Sequence, residues 1–165
     1  SLILADYMAH QTPDSQKQCL EIGAGIGIVS IAATAFGHSM TISECDSDAL
    51  EFARANASLN GFPELEITCL DWNQIDDNRQ FDRIIGSEII YKNEDFELIR
   101  SLFKRMLKPD GEIILASEFR KPVIEFFEMM NKMYDLKIHR MKLSSGNEIL
   151  PLLVCRMRPK INISG

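Results

Sequence analysis

The sequence predicts an α/β fold, a mostly parallel sheet with helices on both faces and an antiparallel β-hairpin at the C-terminal end. Three observations carry this. Short apolar runs alternate with amphipathic stretches, strand then helix, about five times. The last two strand-like runs are separated only by "SSGN", a tight turn that makes them antiparallel neighbours. No repeat, low-complexity tract or linker interrupts the 165 residues, so the chain reads as one domain, 1–165.

The elements follow in order. Leu2 to His10 reads as a helix with Leu2, Leu4, Ala5, Met8 and Ala9 on one side, and "TPDSQK" breaks it. Lys17 to Ile22 is a strand. Gly25 to Phe36 is helical, and its shortage of polar residues predicts burial against a sheet. Ser39 to Glu44 is the second strand. Asp46 or Ser47 caps a helix to Leu59 whose period falls on Ala49, Phe52, Ala53 and Leu59, with Asn60-Gly61 as its stop. "LEITCLDW" and "FDRIIGSEII" supply strands three and four. Glu94 to Leu107 is a helix with a clear apolar stripe, Pro109-Asp110-Gly111 a turn, and "EIILASEF" the fifth strand. Pro122 opens a helix with its stripe on Val123, Ile124, Phe126, Phe127, Met130 and Met133. "LKIHRMKL" and "EILPLLVCRMR" form the hairpin, for seven strands in all.

The charge balance narrows the partners. A net charge of -6 argues against wrapping nucleic acid, with only a mild basic concentration from Lys132 to Arg158. No apolar run reaches the roughly 18 residues of a membrane span, and no signal-peptide pattern appears. The chain opens directly in a helix-like stretch, so the expectation is that a natural N-terminal segment precedes it. Cys19, Cys45, Cys69 and Cys155 form no CxxC pair and read as buried, reduced thiols of a cytoplasmic protein. His10, His38 and His139 lack metal-ligand spacing, and no metal is expected.

The chemistry concentrates after the first strand. Gly23, Gly25 and Gly27 allow a tight turn and close backbone approach to a ligand. Glu44 ends the second strand roughly 20 residues further on, where a carboxylate accepts from the two hydroxyls of a ribose. An adenosine ligand fits both features. A dinucleotide fingerprint would put its third glycine at position 28, which is Ile28. A tight turn without a ligand would use the same glycines.

Taken together, "LEIGAGIG", "SECDSDALEFARANASLNG", "LDW" and "LKPDGEIILAS" resemble the class I, seven-strand S-adenosylmethionine-dependent methyltransferases over nearly the whole chain. The resemblance implies a Rossmann-like fold whose last strand is reversed. It also implies S-adenosyl-L-methionine as cofactor, S-adenosyl-L-homocysteine as product, and a set of roles. Gly23, Gly25 and Gly27 with the neighbouring backbone would meet the methionine part, and Glu21 would help hold its amino group, directly or through water. Glu44 would bind the ribose, Cys45 would lie beside the adenine, and Asp71 would accept from the adenine amine. Trp72 would line the pocket, and Ser87 would stand at the end of strand four.

"SEIIY" follows strand four, on the substrate side of that fold, and lacks the prolines of enzymes that methylate nucleic-acid bases. Asp71-Trp72 with Glu88-x-x-Tyr91 resembles the methyltransferase-like protein lysine methyltransferases, which usually carry Asp where Glu88 stands. That resemblance implies a protein substrate, with Glu88 orienting the amine and accepting its proton, directly or through water, and Tyr91 adding a hydrogen bond or an aromatic wall beside the cation. Three rivals stay open at this stage: a small-molecule methyltransferase, a non-catalytic cofactor-binding partner subunit, and a dinucleotide oxidoreductase.

Overall fold

The computed structural model describes residues 1–145 and 148–160. Its seven strands are β1 (Gln18–Ile22), β2 (Ser39–Glu44), β3 (Glu66–Cys69), β4 (Phe81–Ser87), β5 (Leu107–Glu118), β6 (Tyr134–Ser145) and β7 (Glu148–Pro159). They form one sheet in the order β3-β2-β1-β4-β5-β7-β6. The pairs from β3 through β5 are parallel, and β7 runs antiparallel between β5 and β6. The chain reverses its direction of travel across the sheet between β1 and β4. Their carboxyl ends therefore lie side by side with a crevice beyond them, the place where open α/β sheets bind ligands.

Five α-helices flank the sheet: α1 (Leu2–Ala9), α2 (Ile28–Ala35), α3 (Ser47–Leu59), α4 (Phe96–Met106) and α5 (Lys121–Met130). Adjacent Ile84 and Ile85 of β4 show why the strand runs are continuously apolar. Ile84 belongs to the core under α4 and α5, with Ile99, Phe103 and Phe126. Ile85 faces the opposite way, toward Leu4 and Met8 of α1 and Val29 of α2. Both are fully buried, as strands covered on two faces require.

Several local expectations are corrected. The helix expected from Gly25 begins only at Ile28, because Gly25 and Gly27 hold positive φ and cannot be helical. In α3 the buried face is Leu50, Ala53 and Ala57, not the expected Phe52 and Leu59, which are 62% and 85% exposed. The spacing of three and four residues explains the choice, and the two small alanines let α3 close on Ile42. Asp46 rather than Ser47 is the cap, accepting from the Ala49 N–H at 2.8 Å. Leu2 is exposed at the start of α1.

The helix expected from Glu94 divides into a 3-10 turn, Asn93–Asp95, and α4. The Pro109-Asp110-Gly111 turn is absorbed into β5 as an irregularity: Leu107 pairs with Phe81 and Glu112 with Arg83. β6 is an edge strand whose exposed Lys137, His139 and Arg140 discourage pairing with another chain. Of the expected "SSGN" turn, Gly146 and Asn147 lie outside the described residues. All four cysteines are free, but only Cys19 and Cys155 are buried; Cys45 and Cys69, at the carboxyl ends of β2 and β3, are exposed. Among the described residues, no helix is long and apolar enough to cross a membrane, and no His, Cys, Asp or Glu group is arranged to hold a metal ion.

Candidate functional site

A cavity of about 560 Å³ opens beyond the carboxyl ends of β1, β2 and β4, a volume typical of small-molecule sites. Seven of the sequence candidates share its wall: Gly23, Gly25, Glu44, Trp72, Ser87, Glu88 and Tyr91. Neighbouring strand order brings them together. β1 carries the glycines, β2 on one side ends in Glu44, and β4 on the other runs out into Ser87 and Glu88.

The glycine loop is tied down from two neighbouring elements. The Ala24 N–H donates to the Ser43 carbonyl of β2 at 3.1 Å. Asn56 of α3 donates to the Ile26 carbonyl at 3.0 Å. Gly25, at φ 55, has nothing within 4 Å of the place its side chain would take. That open space belongs to the cavity, so the backbone itself is what a ligand would meet. Gly27 is a different case. It starts α2 at φ 79, and a Cβ there would come within 2.8 Å of Ile42 Cδ1. Its smallness serves the junction of helix and sheet.

Glu44 organises the same loop. Its Oε2 accepts from the Gly25 N–H at 2.9 Å, and its Oε1 from the N–H groups of Cys45 and Asp46 at 2.8 and 3.2 Å. A carboxylate oxygen offers about two lone-pair positions, so Oε2, with one donor, retains one. That position suits a hydroxyl donor.

Four other candidates lie off the cavity wall. Gly27 is buried behind the loop, as above. Glu21 is only 2% exposed, and its Oε2 accepts from the Ser30 N–H and hydroxyl at the start of α2. In this structure that carboxylate makes a bond that locks β1 to α2. Cys45 faces solvent, and burial together with the Glu44 carboxylate raises its thiol above the ordinary value. Asp71 turns back on its own loop, accepting from the Asn73 N–H at 2.8 Å and its side-chain amide at 3.0 Å. Those two donors hold the Asp71 carboxyl below the usual range, the backbone N–H first.

Burial pushes the Glu21 carboxyl up to about 7 from 4.5, against the two Ser30 hydrogen bonds. Between those values the folded protein keeps a proton that the unfolded chain releases, so stability falls as pH rises through the window. The loss is up to about 3 kcal/mol. Glu21→Gln keeps an acceptor for Ser30 without the charge. Its denaturant unfolding is expected to show a smaller loss of stability between pH 5 and pH 8 than the wild-type protein. Equal losses in the two proteins would contradict the burial argument.

The other end of the cavity is built around Glu88. It is the one residue other than glycine with positive φ among the described residues, at 54°. Its N–H donates to the Ala116 carbonyl at 2.8 Å. Its Oε1 accepts from the Glu118 N–H at 2.7 Å and its Oε2 from Arg120 Nη2 at 2.9 Å. Burial raises its carboxyl above the ordinary value, while these two partners pull it back. Backbone strain at an L residue concentrates where position matters. The exposed Tyr91 ring lies under the Arg120 guanidinium, 4.9 Å away.

A family described as "Lysine methyltransferase" matches residues 1–133. The chain belongs to this family. Among curated relatives, EEF1A lysine methyltransferase 3 of Mus musculus is 33% identical over 126 residues, covering 73% of this chain and 53% of the mouse protein. Histone-arginine methyltransferase METTL23 of Rattus norvegicus is 30% identical over 127 residues, covering 73% of this chain and 56% of the rat protein. The chain thus spans just over half the length of each. The crystal structure of ribosomal protein L11 methylase from Lactobacillus delbrueckii subsp. bulgaricus matches at a TM-score of 0.68 and 21% identity. It covers 94% of this chain and 77% of its own, and it supports the fold.

For this lysine methyltransferase family member, the structure adds residues that sequence reasoning missed. Ile26 and Ile28 stand exposed in the cavity wall beside Ile89 and Asp95. No sequence pattern signalled their exposure, because the same shortage of polar residues predicts burial of the stretch from Gly25. Arg120 left no trace either. It lies more than thirty positions from Glu88 and comes to it only through the pairing of β4 with β5.

Proposed function

We propose that this chain is an S-adenosyl-L-methionine-dependent methyltransferase that methylates a side-chain nitrogen of a protein, lysine in the first instance. The observation that carries the reading is the single cavity joining the glycine loop and Glu44 to Glu88 and Tyr91. One end offers backbone and a carboxylate lone pair to a nucleoside. The other offers a carboxylate and an aromatic ring to a cationic side chain.

Gly23, Gly25, Glu44, Trp72 and Ser87 would hold the cofactor in a cavity whose open volume and hydroxyl acceptor fit an adenosine group. Glu21, Gly27, Cys45 and Asp71 shape the loops around it. When bound, the cofactor supplies a sulfonium methyl that bonds to the amine lone pair while the carbon–sulfur electron pair returns to sulfur. The protein's contribution is alignment, worth up to about 7–11 kcal/mol in well-oriented systems. Glu88 orients the amine and takes its proton through lone pairs that Glu118 and Arg120 leave free, since methyl transfer needs the neutral amine. Tyr91 walls the approach. Free thiols at exposed Cys45 and Cys69 suit a reducing compartment, and we place the protein in the cytoplasm.

The test is transfer of tritiated methyl into an extract of the source cells, counted in protein and small-molecule fractions beside a Glu44→Ala control. The expected label sits in a discrete, protease-sensitive band and is recovered as methyl-lysine. Label confined to small molecules would replace the protein acceptor. No label, with S-adenosylhomocysteine still bound, would favour a non-catalytic partner subunit.

A further inference from the structure

Arg120 stands immediately before α5, at the end of the connection from β5. Its guanidinium touches three parts of the segment after β4. Nη2 donates to Glu88 Oε2 at 2.9 Å and to the Ile90 carbonyl at 3.0 Å, and the group lies 4.9 Å from the centre of the Tyr91 ring. Its buried Nε has no partner among the described residues.

We infer that Arg120 is a positioning residue for methyl transfer: it fixes Glu88 and Tyr91 as one unit and sets the charge that the incoming amine meets. The inference rests on the methyl-transfer reading of the cavity. Glu88 and Tyr91 together make a slot for a cation, and the chain's own guanidinium already fills part of it. A bare carboxylate in that place would favour the ammonium form of the acceptor, which has no lone pair to attack with. A guanidinium carries its charge at every working pH. The Glu88–Arg120 pair is then neutral in sum, and the amine is free to lose its proton.

The other charged groups around Glu88 sharpen this. Glu118 ends β5, and Asp95 comes from the turn before α4 and shares the cavity wall. Without Arg120, the carboxylates of Glu88 and Asp95 would stand on the cavity wall with that of Glu118 near Glu88. Removal of that one positive charge therefore moves the acceptor toward its protonated form.

Methyl transfer into a heat-treated protein extract, measured from neutral to strongly alkaline pH, compares wild type with Arg120→Gln and Arg120→Lys. In Arg120→Gln the rising limb of the rate is expected to move to higher pH by roughly half a unit or more. Arg120→Lys restores it, and affinity for S-adenosylhomocysteine stays within a few fold in both. A rate lowered by one factor at every pH, and not repaired by lysine, would overturn the inference and leave Arg120 a loop anchor. Carbon-13 NMR of the Glu88 carboxyl, assigned with Glu88→Gln, needs no acceptor. Its titration midpoint is expected to rise in Arg120→Gln and return in Arg120→Lys, and an unmoved midpoint overturns the inference. A moved midpoint in a protein that transfers no methyl would support the Glu88–Arg120 unit and overturn the methyl-transfer reading beneath it.

Discussion

Glu44→Ala is expected to weaken binding of S-adenosylhomocysteine by roughly 10- to 100-fold, measured by calorimetric titration. Two losses combine. The first is a hydrogen bond from a ligand hydroxyl to an ionised acceptor, worth about 1.5–3 kcal/mol. The second is the anchoring of the loop, because the same carboxylate holds the N–H groups of Gly25, Cys45 and Asp46. Cys45 and Asp46 are exposed, so water replaces the carboxylate there and the fold survives. Glu44→Asp keeps the charge on a shorter arm and is expected to fall between alanine and wild type. Affinity unchanged in Glu44→Ala would remove the ribose-binding role from this residue.

Glu88→Ala carries the second large effect. Methyl transfer is expected to fall at least about 100-fold, the scale of losing a positioned proton acceptor, while cofactor affinity stays within a few fold. Alanine also leaves the Glu118 N–H and the Arg120 guanidinium without their carboxylate. Glu88→Gln narrows the two contributions, because its one amide oxygen keeps an acceptor for either the Glu118 N–H or Arg120 while the charge is lost. A comparable fall in Glu88→Gln assigns the effect to the carboxylate; recovery of activity in Glu88→Gln assigns it to loop geometry. Loss of cofactor binding in either variant would move Glu88 into the cofactor site.

The sheet, both helical layers and the reversed final strand were readable because strands buried on two faces leave long apolar runs between amphipathic helices. That the glycine turn and Glu44 share one crevice was readable because both stand at the carboxyl ends of neighbouring parallel strands. What stayed hidden depended on side-chain direction. Glu21 and Glu44 both belong to strands that point at the crevice, yet Ser30 draws one carboxylate inward while the other reaches Gly25. Asp71 is turned outward by a local bond to Asn73, two residues away. The register of α3 was misread because small Ala53 and Ala57, rather than large Phe52, face the core. Arg120 depends on a cross-strand neighbour that no local pattern discloses.

Calorimetric titration of the wild-type protein with S-adenosylhomocysteine and, separately, with NAD tests most directly whether this cavity is a methyl-transfer site. The account predicts saturable, one-to-one binding of S-adenosylhomocysteine and no binding of NAD. Binding of NAD without S-adenosylhomocysteine would contradict it and return the glycine loop to a dinucleotide enzyme.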